Sequence, residues 1–374
     1  VNFDFSDEQK QLRDEARKFL ADRCSSAAVR AILEGPEPFD RALWTGLGEM
    51  GFLGAAIPEQ YGGVGLGHLE LCVIAEELGR ANAPVPMASS IYLAAEGLML
   101  AGTEAQKTAW LPRLASGAAI GTLALSEGVG RVTERSIKAQ VADGKLTGVK
   151  MPVADGDVAD LAVVAARDPK GVSLYLVELS GPGVTRETLE TIDPTRSQAR
   201  ITFDGAPAER LGEAGQGWRL ASDMLDRAAV LMAFEQVGGS DRALEMARDY
   251  ALERMAFGRQ IGSFQAIKHM LADMYVAATL ARSNAYYGAW ALSTEAAELP
   301  VAAATARVSA TQAYQHCAKN NIQVHGGMGF TWAFDCHLFY RRANALALAL
   351  GSQTTWEDLL IDRMRRRNDA PVAA

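Results

Sequence analysis

The stretch WRLASDMLDRAAVLMAFEQVGGSDRALEMARDYALERMAFG, residues 218–258, carries the strongest structural signal in the chain. It holds no proline, is rich in Ala, Leu and Met, and greatly exceeds the usual helix of about 11–12 residues. Two segments of the same texture follow: SFQAIKHMLADMYVAATLARSNAYYGAWAL at 263–292 and LPVAAATARVSATQAYQHCAKNNIQVHGG at 299–327. Long helices with several apolar faces predict a four-helix bundle that also packs against other subunits.

Upstream of this helical block the texture differs. Between about residue 120 and residue 214, GTLALSE, SIKAQVADGKLTGVKM, LAVVAAR, GVSLYLVEL and ARITFDG are short β-prone runs bounded by Asp, Gly and Pro. ADGKLTG reads as a hairpin turn, and Leu161–Ala166 as a buried strand. A compact, mostly antiparallel β-domain is expected there. Earlier still, SDEQKQLRDEARKFLADRC opens with Ser6 and Gln9 in a capping-box pattern, and further helices are expected near 40–50, 68–80, 89–101 and 104–116. The order is helical, β, helical, with expected domains at 1–119, 120–214 and 215–374.

Composition narrows the function classes. With 22% charged residues and a net charge of −8, the chain has no basic footprint for nucleic acid. Its longest apolar runs fall short of a membrane span. The acidic, polar opening VNFDFSDEQKQLRDEA is unlike a secretory signal, and four scattered cysteines without CxxC spacing fit a reducing compartment. A cytoplasmic location is expected.

Several motifs give way to plainer readings. GGVGLG at Gly62–Gly67 matches a dinucleotide loop poorly and follows Pro58, so a structural turn is expected. His316, His325 and His337, with Cys317 and Cys336, lack the spacing of a zinc site. No GxSxG elbow supports a serine hydrolase.

Two segments carry more. In RMAFGRQIGSFQAIKH (254–269) a long helix ends, an Arg and a Phe flank a Gly turn, and Ser263 is expected to cap a new helix carrying Gln265. In NNIQVHGGMGFTWAFDCHLFYRRA (320–343) a glycine pair after a helix would expose backbone N–H groups. An Arg, a Gln and free glycine amides can hold a pyrophosphate without a Rossmann loop. Both could also be plain interhelical corners.

Arg-x-x-Phe-Gly…Gln, then Gln-x-x-Gly-Gly-x-Gly-Phe, resembles the acyl-CoA dehydrogenase family over essentially the whole chain, including the subgroup that forms heteromeric steroid side-chain enzymes. The resemblance implies an α+β fold with an N-terminal helical domain, a central antiparallel β-barrel-like domain and a C-terminal four-helix bundle. It implies FAD as cofactor, an acyl-CoA substrate, and an electron-transfer flavoprotein or similar acceptor. It also implies a homo- or hetero-oligomer, commonly a dimer of dimers. Arg254, Phe257 and Gln265 would meet FAD; Gln323, Gly326 and Gly327 would contact the adenosine–diphosphate half bound by a neighbouring subunit. Leu125 and Ser126, in ALSE, would line the flavin, and Asp226 would contact the pantetheine arm.

The chain also departs from the family pattern. GVGRVTERS (128–136) stands for a Pro-Gly-x-Gly-Ser-Asp turn, and Pro152 and Ala154 stand where a Trp and a hydroxyl are usual. The two positions where members place the catalytic Glu are Leu350 and Ala228. Glu235 and Glu357 each lie seven residues further on, about 10.5 Å along a helix, too far to replace it directly. Glu235 is expected to be a buried, paired structural acid. Four readings follow: an autonomous dehydrogenase with a displaced base, a base-lacking subunit of a heteromer, a base-independent acyl-CoA enzyme, and a flavin-free homologue.

Overall fold

The computed structural model describes residues 5–369. The N-terminal part is helical: α1 (Asp7–Arg23), α2 (Ser26–Glu34), α3 (Arg41–Glu49), α4 (His68–Arg80), a π-helical segment Ala88–Ala95 running into α5 (Glu96–Ala101), and α6 (Glu104–Ala115). The capping box forms as expected: Gln9 N–H donates to Ser6 Oγ at 3.2 Å, and Ser6 N–H to Gln9 Oε1 at 3.0 Å. The glycine-rich loop is a structural turn. Gly62 adopts φ +76° after the short turn Glu59–Tyr61, and a Cβ on Gly63 would lie 2.0 Å from the Ile57 carbonyl oxygen.

Eight strands follow: β1 (Gly121–Ala124), β2 (Gln140–Ala142), β3 (Lys145–Ala154), β4 (Leu161–Asp168), β5 (Gly171–Glu178), β6 (Val184–Leu189), β7 (Gln198–Pro207) and β8 (Glu209–Leu211). Their order is β6-β7-β3-β2-β4-β5-β8, with β1 joined to β4 off this path. The β2–β3 hairpin turns on Asp143 and Gly144, both at positive φ (50° and 72°), as a two-residue turn matching strand twist requires. β4 is buried from Leu161 to Ala166, as its Val-rich run suggested. The sheet is mostly antiparallel, as expected; the exceptions are β1, which runs parallel to β4, and one parallel pairing of β2 with β4. The sheet is also open rather than barrel-like: β8 is only three residues long and β6 is mostly exposed, so the path ends at two separate edges.

The C-terminal part holds α7 (Gly217–Glu253), the small hairpin β9 (Met255–Ala256) and β10 (Arg259–Gln260), then α8 (Gln265–Ser293), α9 (Leu299–His325), α10 (Cys336–Ala349) and α11 (Gln353–Asp369). Among the described residues no helix is long and apolar enough to cross a membrane. The described residues form two compact units. A bundle unit comprises residues up to 27, 72–83 and from 229 onward; a sheet unit comprises 28–71 and 84–228.

Small residues and buried charge organise the bundle unit. Ala243, Ala247, Ala251 and Ala278 pack with Met274, Cys317 and Val324, which brings α7, α8 and α9 close together. α4 and α7 cross backbone to backbone. A Cβ at Gly79 would sit 1.8 Å from the Glu235 carbonyl oxygen, and one at Gly238 would sit 1.9 Å from that of Glu76. Ion pairs flank the crossing. Arg282 bridges Glu76 at 2.8 Å and Asp241, Arg80 meets Glu245, and Arg17 holds Glu77 at 2.7 Å. Burial raises the Glu76 and Asp241 carboxyls above the usual range, and Arg282 partly offsets this.

Candidate functional site

In the bundle unit, the first flavin-type segment begins where α7 ends. The Arg254 N–H still donates to the Tyr250 carbonyl at 2.8 Å, while the Arg254 carbonyl accepts from Ile261 N–H at 2.8 Å. Between them Phe257 and Gly258 form the hairpin turn with φ of +52° and +79°. Phe257 is a non-glycine residue in the left-handed region, and its ring is 95% exposed, held edge-on to Phe264 at 6.1 Å. Arg254 and Gln265 are also exposed. Ser263 does not cap α8, contrary to expectation. It lies in a 3₁₀ turn, Ile261–Ser263, that points its hydroxyl back to the Gln260 carbonyl at 2.7 Å, leaving Phe264 as the N-cap residue.

The second segment begins where α9 ends. Gln323, Gly326 and Gly327 are exposed together. Their glycines serve different needs. Gly326 takes φ +60°, and a Cβ on Gly329 would strike the Ile322 carbonyl oxygen at 2.6 Å. Gly327 has neither constraint: its φ is ordinary and a Cβ would meet nothing within 4 Å. A bare backbone with open space in front of it fits close approach by a ligand such as the diphosphate of FAD. The histidines here are packed into the turn: His325 Nδ1–H donates to the Asn321 carbonyl at 2.8 Å and the ring stacks on Tyr250 at 4.1 Å, while His337 stacks on Trp332 at 4.4 Å.

Leu350, the position where the resemblance leads one to expect a base, lies at the break between α10 and α11. Leu350 is the C-cap of α10, 8% exposed, and Gly351 turns the chain at φ +101°. Trp356 Nε1 donates to the Leu350 carbonyl at 3.0 Å. One turn earlier, the Leu346 carbonyl accepts from Arg307, whose other nitrogen donates to Gln236 Oε1 at 2.8 Å. Burial lowers the Arg307 guanidinium to about 10, with the Glu235 charge opposing the shift. Glu235 itself is fully buried and faces Arg342 Nη1 at 3.7 Å. It is the buried, paired acid expected from its apolar helix face. Glu357 lies beyond the break and accepts from Gln353 at 2.7 Å and Gln312 at 3.3 Å. Ala228, on α7 in the sheet unit, is fully buried.

In the sheet unit, Leu125 and Ser126 follow β1, and their polar groups are largely committed within the protein. The Leu125 carbonyl accepts from Lys150 Nζ at 3.2 Å and that of Ser126 from Met151 N–H at 2.8 Å. The Ser126 hydroxyl donates to the Gly128 carbonyl at 3.1 Å. Lys150 is fully buried and pairs with Glu127 at 2.7 Å; Glu127 also accepts the Lys138 and Ala139 N–H groups. Burial alone would raise Glu127, but Lys150 and those N–H groups outweigh it and hold the carboxyl low. This pair escaped sequence reasoning, although Lys150 in the middle of β3, between Val149 and Met151, was its available signal. Asp226 is 4% exposed on α7, beside Arg227, which approaches Glu96 at 3.9 Å.

Comparison with known proteins agrees with this arrangement. The acyl-CoA dehydrogenase N-terminal domain matches residues 6–118 and the acyl-CoA dehydrogenase C-terminal domain matches residues 215–364. Acyl-CoA dehydrogenase IpdE2 of Mycobacterium tuberculosis is 34% identical, covering 92% of this chain and 94% of its own length. The ChsE4-ChsE5 complex from Mycobacterium tuberculosis contains a chain 29% identical, with TM-score 0.89 and complete coverage of both chains (100% and 100%). A variant of the steroid ACAD Tcur3481-Tcur3483 is 31% identical with TM-score 0.89, covering 97% of this chain and 99% of that one. With both domain types in order and the relative matched nearly end to end, this chain belongs to the acyl-CoA dehydrogenase family, a family of flavoprotein oxidoreductases.

Proposed function

We propose that this chain acts in the α,β-dehydrogenation of an acyl-CoA thioester as one subunit of an FAD-containing heteromer, with the carboxylate base contributed by a different chain of the same fold. The observation that carries this reading is the state of the base positions. Leu350 occupies the turn where most members place a Glu, Ala228 occupies the alternative, and the nearby buried Glu235 faces Arg342 at 3.7 Å. A carboxylate held by a guanidinium inside a helix bundle does not approach a substrate α-carbon within hydrogen-bond reach.

FAD, when bound, supplies the acceptor for the β-hydrogen as hydride. The residues of this chain bind and orient. Arg254 offers a planar cation to a diphosphate, Phe257 an exposed ring, and Gln265 and Gln323 amides for hydrogen bonding. Gly326 and Gly327 leave backbone open to a phosphate at the end of α9. Leu125 and Ser126 line the flavin side of the sheet unit through what their internal hydrogen bonds leave available. Asp226 positions the pantetheine arm. The complementary complexes ChsE4-ChsE5 and Tcur3481-Tcur3483 support pairing with a second chain. The proposed assembly is a cytoplasmic dimer of dimers that passes electrons to an electron-transfer flavoprotein or similar acceptor.

The test is co-expression with a chain of this family that has Glu at either base position, followed by acyl-CoA-dependent dye reduction. The complex should turn over and this chain alone should not. Turnover by this chain alone at a rate comparable to the complex would overturn the proposal.

A further inference from the structure

Within the sheet unit, the π-helical segment Ala88–Ala95 is buried at every residue, and a carboxyl group ties it to the turn after β3. Ser89 Oγ lies 2.6 Å from Asp155 Oδ2 and 3.0 Å from the Pro86 carbonyl oxygen. A hydroxyl has one proton to donate. If Asp155 were ionised, both neighbours would be acceptors, and one contact would set two lone pairs against each other. The carbonyl cannot supply the missing proton, but a carboxylic acid can. With the proton on Oδ2, Asp155 donates to Ser89, Ser89 donates to Pro86, and every oxygen in the chain is satisfied.

The surroundings favour that form. Asp155 is 5% exposed, and its other hydroxyl neighbour, Ser197 Oγ, is 3.4 Å from Oδ1 but only 2.6 Å from Asp157 Oδ1. The single Ser197 proton is thus directed to Asp157. The charges facing Asp155 are Asp157, which repels an anion, and Arg196, which attracts one; burial is the largest influence and raises the carboxyl above its usual range. The backbone keeps the group in place. Asp155 takes φ +53°, its N–H donates to the Ser197 carbonyl at 2.9 Å, and its own carbonyl accepts from Ala159 N–H at 2.9 Å.

We propose that Asp155 is a carboxylic acid at neutral pH and a positioning residue, its proton fastening the buried segment Ala88–Ala95 to the end of β3 through Ser89. The end of β3 carries Pro152 and Ala154, where the resemblance places flavin contacts. The consequence for flavin binding rests on the proposed function; the protonation state does not.

The sign of the pH effect follows. The folded state holds the proton more tightly than the unfolded chain, whose Asp titrates near ~3.9. The stabilising contribution is therefore full below that value and is lost as pH rises through the folded pKa. Asp155→Asn keeps a donor toward Ser89 and cannot ionise. Infrared difference spectra of the full chain at pH 7, wild type minus Asp155→Asn, should show the loss of a carboxylic-acid C=O band. The melting temperature of wild type should also fall relative to the variant as pH is raised above neutrality. A difference spectrum showing loss of a carboxylate band instead overturns the proposal. If Asp155→Asn does not fold, Ser89→Ala provides the readout: the acid C=O band should persist at a shifted frequency, and an unshifted band overturns the proposal. None of these outcomes depends on flavin, so they separate this inference from the heteromer.

Discussion

Leu350 sits in a firmly held backbone turn. The break between α10 and α11 is fastened by Trp356 on the Leu350 carbonyl, Arg307 on the Leu346 carbonyl, and the positive φ of Gly351. Position 350 is therefore presented by a defined turn, whatever residue fills it. Glu235 has the opposite character, with a carboxylate but no freedom. Removing it leaves Arg342 and Arg307 buried without its compensating charge. Glu235→Ala is expected to cost about 3–5 kcal/mol in denaturant-induced unfolding, the range for breaking a buried ion pair. A variant of near wild-type stability would contradict the structural role given to this acid. Sequence reasoning proposed Leu350 and Ala228 as the base positions by counting from the flanking segments. Arg307 and Arg342 were not, since arginine in a helix reads as surface until the fold shows what encloses it.

Among the elements, α7 shows most clearly what a sequence conveys and what it withholds. Its length and apolar texture announced a bundle helix. The pair Gly238–Gly239 within it lies where other elements come close. A Cβ at Gly238 would meet the Glu76 carbonyl oxygen at 1.9 Å, and one at Gly239 would meet the Tyr314 ring at 2.4 Å. Gly238→Ala should destabilise by about 1–3 kcal/mol or more, the cost of overpacking against backbone. Gly327→Ala is the contrasting case. With nothing within 4 Å, it should change stability by less than about 0.5 kcal/mol. In the flavin-bound complex, however, it should weaken cofactor retention, measured as flavin released on dilution. Equal retention by wild type and Gly327→Ala would remove this glycine from the proposed FAD contacts. The sheet was less legible than the helices. Short runs marked its strands, but the parallel pairing of β1 and β4 and the unpaired edges at β6 and β8 depend on partners distant in sequence. The Ser263 cap failed for a local reason, because a 3₁₀ turn preceded α8 where a direct start was expected.

For the whole molecule, the family follows from two domain types and near-complete coverage of relatives, while the proposed division of labour rests on individual side chains. The bundle-unit groups proposed to meet FAD are displayed: Arg254, Phe257, Gln265, Gln323, Gly326 and Gly327 are all exposed. Those of the sheet unit are committed internally, with Lys150 on the Leu125 carbonyl and the Ser126 hydroxyl turned to Gly128. A chain so arranged offers more to a flavin held with a second chain than to one it must hold alone. The visible absorption spectrum of the full chain, purified without a partner and again after co-expression with a Glu-bearing homologue, tests this most directly. The lone chain should be colourless and the complex should show the flavin bands in stoichiometric amount. A yellow lone chain whose flavin bands bleach on addition of an acyl-CoA would contradict the heteromeric assignment.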